Sequence, residues 1–283
     1  MSDNEPVSHL SEAELRAMTA DLDAMHHDLT LPALRTSLAG WADDIRVQAA
    51  ARRAEQEERD ERARRSRRRF LAGASGAAGV ALLAACSSSS SSSSAAASSS
   101  ATASGSASAL AGGFGQKLTG DLQVVAMAAS LENSGIATYM AGIKAATAGK
   151  LGTVPPAVVT FAETAMSQHE DHQKAWNAVL TASGKQAVTG VDPVVQPVIN
   201  TAFAKVSTVG GLAELALMVE NIAGETYQNG LSVITSAAGI KTAASIEPVE
   251  FQHAAILSFI LGKYPIPAAF TGVSLARPPS DYS

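Results

Sequence analysis

Hydrophobic positions in the second half of the chain recur with the spacing of α-helices. Apolar residues fall at intervals of three and four, and no sustained two-residue alternation of the kind typical of half-buried strands occurs. The pattern predicts four long helices and one short one, over about 118–148, 153–181, 198–206, 210–237 and 247–262. The predicted fold class is therefore all-α, a four-helix bundle in which many Ala and Gly residues allow the helices to approach closely.

The first 65 residues predict two further helical stretches. Ser11 and Glu14 have the spacing of a capping box, which indicates a helix start. Pro32 is expected to restart the chain, and a helix with intermixed Arg and Glu follows. We interpret His26 and His27 as part of a solvated helix end rather than as a metal site.

A basic run, an apolar stretch and a cysteine follow one another between the two helical parts. Arg67 and Arg68 precede Phe-Leu, as in the twin-arginine translocation signal, and Leu-Ala-Ala-Cys86 resembles the lipobox of bacterial lipoproteins. The apolar stretch has 16 residues, fewer than the roughly 20 that span a bilayer. The alternative, an Ala-rich core helix, leaves the arginines unexplained. The resemblance implies export by the twin-arginine translocation machinery and lipidation of Cys86.

These features divide the chain into four parts. Residues 1–65 form the charged extension, 66–86 the signal segment, 87–113 a flexible linker and 114–283 the bundle. The linker consists almost entirely of Ser, Ala, Gly and Thr, and its typical end-to-end distance is about 30 Å. We expect a lipoprotein tethered to the outer face of the cytoplasmic membrane. The extension either stays in the cytoplasm or precedes a true start codon downstream.

Composition narrows the choice of partners. The net charge is −5 and 5% of the residues are aromatic, and no basic patch with interleaved aromatics occurs, so nucleic acid is not expected as a partner. The single cysteine rules out an intramolecular disulfide framework.

Six polar residues fall on the apolar faces of the four long predicted helices. Placing each helix on a 3.6-residue period gives Glu132, His169, His172, Glu220, Glu250 and His253. Glu163 and Glu170 fall on the opposite face of the second helix and are expected to face water. A buried carboxylate must be protonated, paired or bound to a metal, and too few inward Lys or Arg residues are present. The simplest common partner is a metal ion.

An internal repeat relates the two halves of the bundle. Glu132 is followed by Asn and then by Tyr139, and Glu220 is followed at the same spacings by Asn and Tyr227. Each repeat precedes a helix with a polar pair at i, i+3, the order found in ferritin-like bundles. Over about 118–263 the chain resembles the ferritin-like superfamily, in particular its exported bacterial members. We interpret the two tyrosines as core aromatics whose hydroxyls find a partner.

The resemblance implies metal-ligand roles, with one departure. The family's glutamates fall on Glu132 and Glu220, and its Glu-x-x-His falls on Glu250 and His253, but His169 stands where the second helix should carry glutamate. In the family that carboxylate usually bridges two irons. The remaining groups could hold one iron, manganese or zinc ion, or two of unequal affinity.

Two classes of function follow from this donor set. The first is a metal-dependent protein for oxygen or peroxide chemistry or for iron handling. The second is a non-catalytic, metal-free binding or structural module of the cell envelope. The residues leave open whether the protein is an enzyme.

Overall fold

The computed structural model describes residues 11–74, 116–266 and 269–277. They fall into two compact units, one holding residues 11–44 and those from 116 onward, the other holding residues 45–74. No β-strand occurs among the described residues, which confirms the all-α prediction. The lipobox cysteine Cys86 and the Ser-rich linker lie outside the described residues, so the predictions on them remain predictions.

The helices are numbered in chain order. They are α1 Glu12–Met25, a π-helical turn His26–Thr30, α2 Leu31–Ala74, α3 Asp121–Thr147, α4 Pro156–Ala182, α5 Val195–Phe203, α6 Val209–Gly230 and α7 Ala237–Ile260. Helices α3 and α4 pack along each other, α6 and α7 form a second pair, and α3 packs on α6. This is the predicted bundle of two helix pairs.

Helix α7 begins ten residues earlier than the sequence pattern predicts. The side chain of Ser236 caps it by accepting from the N–H of Gly239, and Pro248 lies inside the helix. The prediction that Glu247 and Pro248 open this helix is therefore wrong. Proline removes one intrahelical hydrogen bond, but burial of Ile246 and Val249 beside it holds the helix together by tertiary packing.

The N-terminal segment is more continuous than predicted. The capping box of Ser11 and Glu14 forms as predicted. Pro32 does not restart the chain, because a π-helical turn joins α1 to α2 and the N–H of Leu31 bonds to the carbonyl of His26. A proline in a regular α-helix clashes with the carbonyl four residues back. The wider π turn relieves this clash.

Residues 11–44 pack on the bundle. Leu15 and Leu22 belong to one buried cluster with residues of α4, α6 and α7. Trp41 meets Trp176 edge to face, with ring centroids 6.0 Å apart. The carboxylate of Glu12 accepts from a backbone N–H at the start of α4 at 3.4 Å. The predicted domain limits stay a prediction, and these contacts show that residues 11–44 fold together with the bundle.

The second unit is the C-terminal part of α2. Its side chains are mostly exposed, and arginines pair with glutamates one turn earlier, as Arg62 does with Glu58 at 3.1 Å and Arg65 with Glu61 at 3.0 Å. Arg67 and Arg68 lie exposed near its end. Among the described helices, none combines the length and the hydropathy needed to cross a membrane.

Candidate metal centre

The six inward-facing residues meet in the middle of the bundle. Helix α3 supplies Glu132, α4 supplies His169 and His172, α6 supplies Glu220, and α7 supplies Glu250 and His253. Each is at most 2% exposed. The acids predicted to face water do so: Glu163 is exposed, and the side chain of Glu170 is 43% exposed.

The donor atoms form two overlapping groups. One group comprises Glu132, His169, His172 and Glu250, and the other comprises His169, Glu220, Glu250 and His253. Within each group, one potential ligand atom per residue lies within 4.8 Å of the others. His169 and Glu250 belong to both groups, so the two groups cannot be filled independently.

His169 lies between the two groups and turns one nitrogen toward each. Its Nδ1 is 2.7 Å from Glu132 Oε2, and its Nε2 is 3.3 Å from Glu220 Oε1. Helix α3 leaves room for the ring through Gly135, since a Cβ added there would lie 3.0 Å from the imidazole. A neutral imidazole has a single free lone pair, so one nitrogen at a time can bind a metal ion while the other carries the proton.

The two repeat tyrosines contact the glutamates crosswise. The Tyr227 hydroxyl donates to Glu132, and the Tyr139 hydroxyl donates to Glu220. The Trp176 indole N–H donates to the Tyr227 hydroxyl at 2.6 Å. Burial, and then the neighbouring carboxylates, raise the pKa of both tyrosines well above the usual value. The hydroxyls therefore remain donors that orient the glutamates, a more specific role than the predicted one of core aromatics.

Gln168 is a site residue that the sequence reasoning missed. Its Oε1 lies 2.8 Å from His253 Nε2, while His253 Nδ1 faces Glu220 Oε2 at 3.4 Å. Because the amide oxygen can only accept, it fixes a proton on Nε2 and directs Nδ1 toward the carboxylates, as a supporting residue does for a metal-binding histidine. A signal was present, since Gln168 shares a helical face with Ala165 and His172.

The carboxylates and imidazoles shift one another's pKa values. Burial alone raises the pKa of Glu132, but His172 and His169 hold it down to about 2. In the same way, His253 and His169 overcome the effect of burial and keep the pKa of Glu220 well below its usual value. Both glutamates are therefore ionised throughout the physiological range.

The histidines show the matching shifts. Burial alone lowers the pKa of His172, but Glu132 and Glu250 raise it to about 9. The pKa of His169 lies well above the usual value despite burial, because Glu250 and Glu220 favour its charged form, and Glu220 raises that of His253. Without a metal ion, the ionised Glu132 and Glu220 thus face imidazolium groups.

Glu250 and His172 are not satisfied by this network. His172 Nδ1 lies 2.9 Å from Glu250 Oε1, but the two groups are not aligned for a hydrogen bond. Among the described residues, none hydrogen-bonds either Glu250 oxygen or either His172 nitrogen, although both side chains are fully buried. Burying polar groups without hydrogen-bond partners costs free energy. The donor set therefore fits a cation that takes mixed oxygen and nitrogen ligands.

His26 is placed differently from the predicted solvated helix end. It is 1% exposed, with its ring centroid 5.2 Å from that of His172 and its Nε2 3.6 Å from Asp171 Oδ2. The prediction is wrong because the π turn directs this residue onto α4, whereas the side chain of His27 stays 59% exposed. Burial, and then the charge of His172, lower the pKa of His26 to about 4.

Comparison with known proteins agrees with the fold and the donor set. Residues 120–263, just over half of the chain, match the ferritin-like domain family. No curated protein and no solved structure matched the chain. The match covers the four bundle helices and all six inward-facing residues, and the buried Glu and His groups are compatible with metal binding. The chain belongs to the ferritin-like domain family.

Proposed function

We propose that the bundle binds one or two transition-metal ions, iron or manganese foremost, through Glu132, His169, His172, Glu220, Glu250 and His253. The observation that carries this proposal is Glu250, a fully buried carboxylate without a hydrogen bond that faces three imidazoles. Its Oε2 lies 3.7 Å from His169 Nδ1 and 3.8 Å from His253 Nδ1. A bound iron or manganese ion would supply redox chemistry with oxygen or peroxide. In an iron-handling protein, the bound iron would instead be the cargo.

The sharing of His169 favours unequal occupancy. If His169 held an ion together with Glu132, it would use the Nδ1 lone pair, and its proton would then lie on Nε2, the nitrogen that faces Glu220. A second ion would have to displace that proton or bind without the imidazole. We therefore expect one tightly held ion, or two with clearly different affinities.

Metal analysis of the purified full chain tests the proposal. After loading with ferrous, manganous or zinc ions, at least about one equivalent should remain through gel filtration. The competing function, a metal-free ferritin-like module of the cell envelope, is supported by the contacts that pair each of the three carboxyl groups with an imidazole. Less than roughly a tenth of an equivalent of every metal would select that module.

Export and anchoring are the second part of the proposal. Arg67 and Arg68 precede the apolar segment that leads to Cys86, and a partner in the twin-arginine machinery would place the bundle at the outer face of the cytoplasmic membrane as a lipoprotein. Changing both arginines to lysine should block export. The matched control is the double lysine variant of Arg64 and Arg65, which are exposed on the same helix. Equal surface localisation of both variants would contradict the proposal.

A further inference from the structure

The N-terminal helices cover the edge of the bundle next to the metal centre. Leu15, Leu22, Leu34 and Trp41 are all buried, although they precede the bundle by more than 70 residues of chain. Leu15 and Leu22 pack in one cluster with residues of α4 and α7, the helices that carry four of the six donor residues, and Trp41 packs on Trp176 of α4. Residues 11–44 therefore form a fitted layer over that side of the bundle.

His26 brings this layer into contact with one of the donor residues. Its ring packs edge-on against His172, which is 0% exposed, and neither nitrogen of His172 has a hydrogen-bond partner. The donor groups among the described residues do not include His26. His26 thus covers a donor residue and is not itself a donor.

The signal segment separates this layer from the bundle along the chain. The signal segment 66–86 lies between residues 11–44 and the bundle, and contacts across the interface are non-covalent. Processing of a lipoprotein hydrolyses the bond before the lipidated cysteine, here Ala85–Cys86, and consumes one water molecule. If residues 1–65 stay on the cytoplasmic side, as the signal predicts, export would pull the bundle away from this buried interface, and the cut would then remove the covalent link between its two sides.

We infer that residues 11–44 are a detachable cap that closes the metal centre before export and is lost on export and processing. This inference rests on the proposed metal binding and export. While the chain is intact, the cap binds intramolecularly at a high effective concentration, and cutting the chain removes that advantage. Loss of the cap uncovers His172 and opens a route to the donor groups.

A point variant in the intact chain tests whether the cap limits entry. Leu22→Asp places a charge in the buried interface, and Leu29→Asp is its control, because Leu29 is 66% exposed in the same segment. Cobalt(II) absorption should appear at least about tenfold faster in the Leu22 variant, with unchanged final stoichiometry, and at the wild-type rate in the Leu29 variant. An unchanged rate, or a lower final stoichiometry, in a folded Leu22 variant would overturn the inference.

A cleavable chain tests detachment even where the Leu22 variant fails to fold. A site-specific protease sequence placed within residues 87–113 allows the purified full chain to be cut after folding. The two tryptophans report the outcome, since one lies in the cap and the other in the bundle, and they are in contact. The N-terminal fragment should separate on dilution, with red-shifted tryptophan emission and faster cobalt entry.

Two outcomes separate the inference from the function on which it rests. If the cut chain stays assembled on dilution, residues 11–44 are a permanent part of the domain and the inference is wrong. If the fragment separates but neither form ever binds cobalt, the metal proposal fails while detachment stands.

Discussion

Metal binding at this centre should release protons, and the number released follows from the charges. An ion in the Glu132 group needs the Nδ1 lone pairs of His169 and His172. The pKa of His172 is about 9 and that of His169 is well above its usual value, so both rings are protonated near neutral pH. We therefore expect binding of the first ion to expel about two protons.

The pH dependence of the affinity follows from this number. With two protons released, the association constant changes by about a hundredfold per pH unit, or about 2.7 kcal/mol, below the pKa of His172. Cobalt(II) titrations at about pH 6, 7 and 8 give the slope, and calorimetry in buffers of different ionisation enthalpy counts the protons directly. His172→Gln removes one titrating ring and should lower the count to about one.

The result that would refute this reasoning is an affinity independent of pH across that range. It would mean that the imidazoles are already neutral in the metal-free protein, and the assignment of ion pairs would then fail. A slope near two in the wild type that persists in His172→Gln would place the released protons on other groups.

Three further outcomes are expected. The metal-free protein should lose thermal stability, measured as Tm, as pH rises from about 6.5 toward 9, because the raised pKa of His172 stabilises the fold only while the ring is charged, and a bound ion should remove that loss. Glu132→Ala should lower metal affinity at least roughly 10- to 100-fold in equilibrium dialysis, since it removes a proposed ligand of the first ion. His169→Glu should allow a second ion and faster oxidation of ferrous iron, measured by metal analysis and absorbance. Two equivalents of similar affinity in the wild type would contradict the role given to His169.

Helical periodicity predicted the bundle and its inward-facing residues, because the residues on the buried face of a helix recur with a period of 3.6 along the sequence. All six inward residues are buried where the wheels place them. The start of α7 was missed because residues 237–246 are mostly small or apolar and give little contrast between faces. The helix start is instead marked locally by the side-chain cap of Ser236.

Contacts between helices could not be predicted from the hydrophobic pattern of each helix alone. The crosswise donation from Tyr139 to Glu220 depends on how α3 and α6 are rotated against each other, which no one segment encodes. The burial of His26 depends on a π turn that shifts the register of the helix surface. The sequence pattern predicted which residues face inward. Which of them contact each other became clear only from the packed structure.

Where the resemblance to ferritin-like proteins leads us to expect a carboxylate, this chain has His169, and the difference changes the charge of the centre. A fourth buried glutamate would add a negative charge that only a cation or protons could offset, whereas here each of the three carboxyl groups lies within ion-pair distance of an imidazole. We therefore expect the bundle to fold without a metal ion and, in the proposed scheme, before export. In the proposed scheme the cap covers His172 at that stage, so the ion that finally binds is drawn from the compartment in which the cap has been lost. Metal content of the processed lipoprotein should then follow the ions supplied outside the cytoplasm, and content fixed by cytoplasmic supply would contradict this order of events.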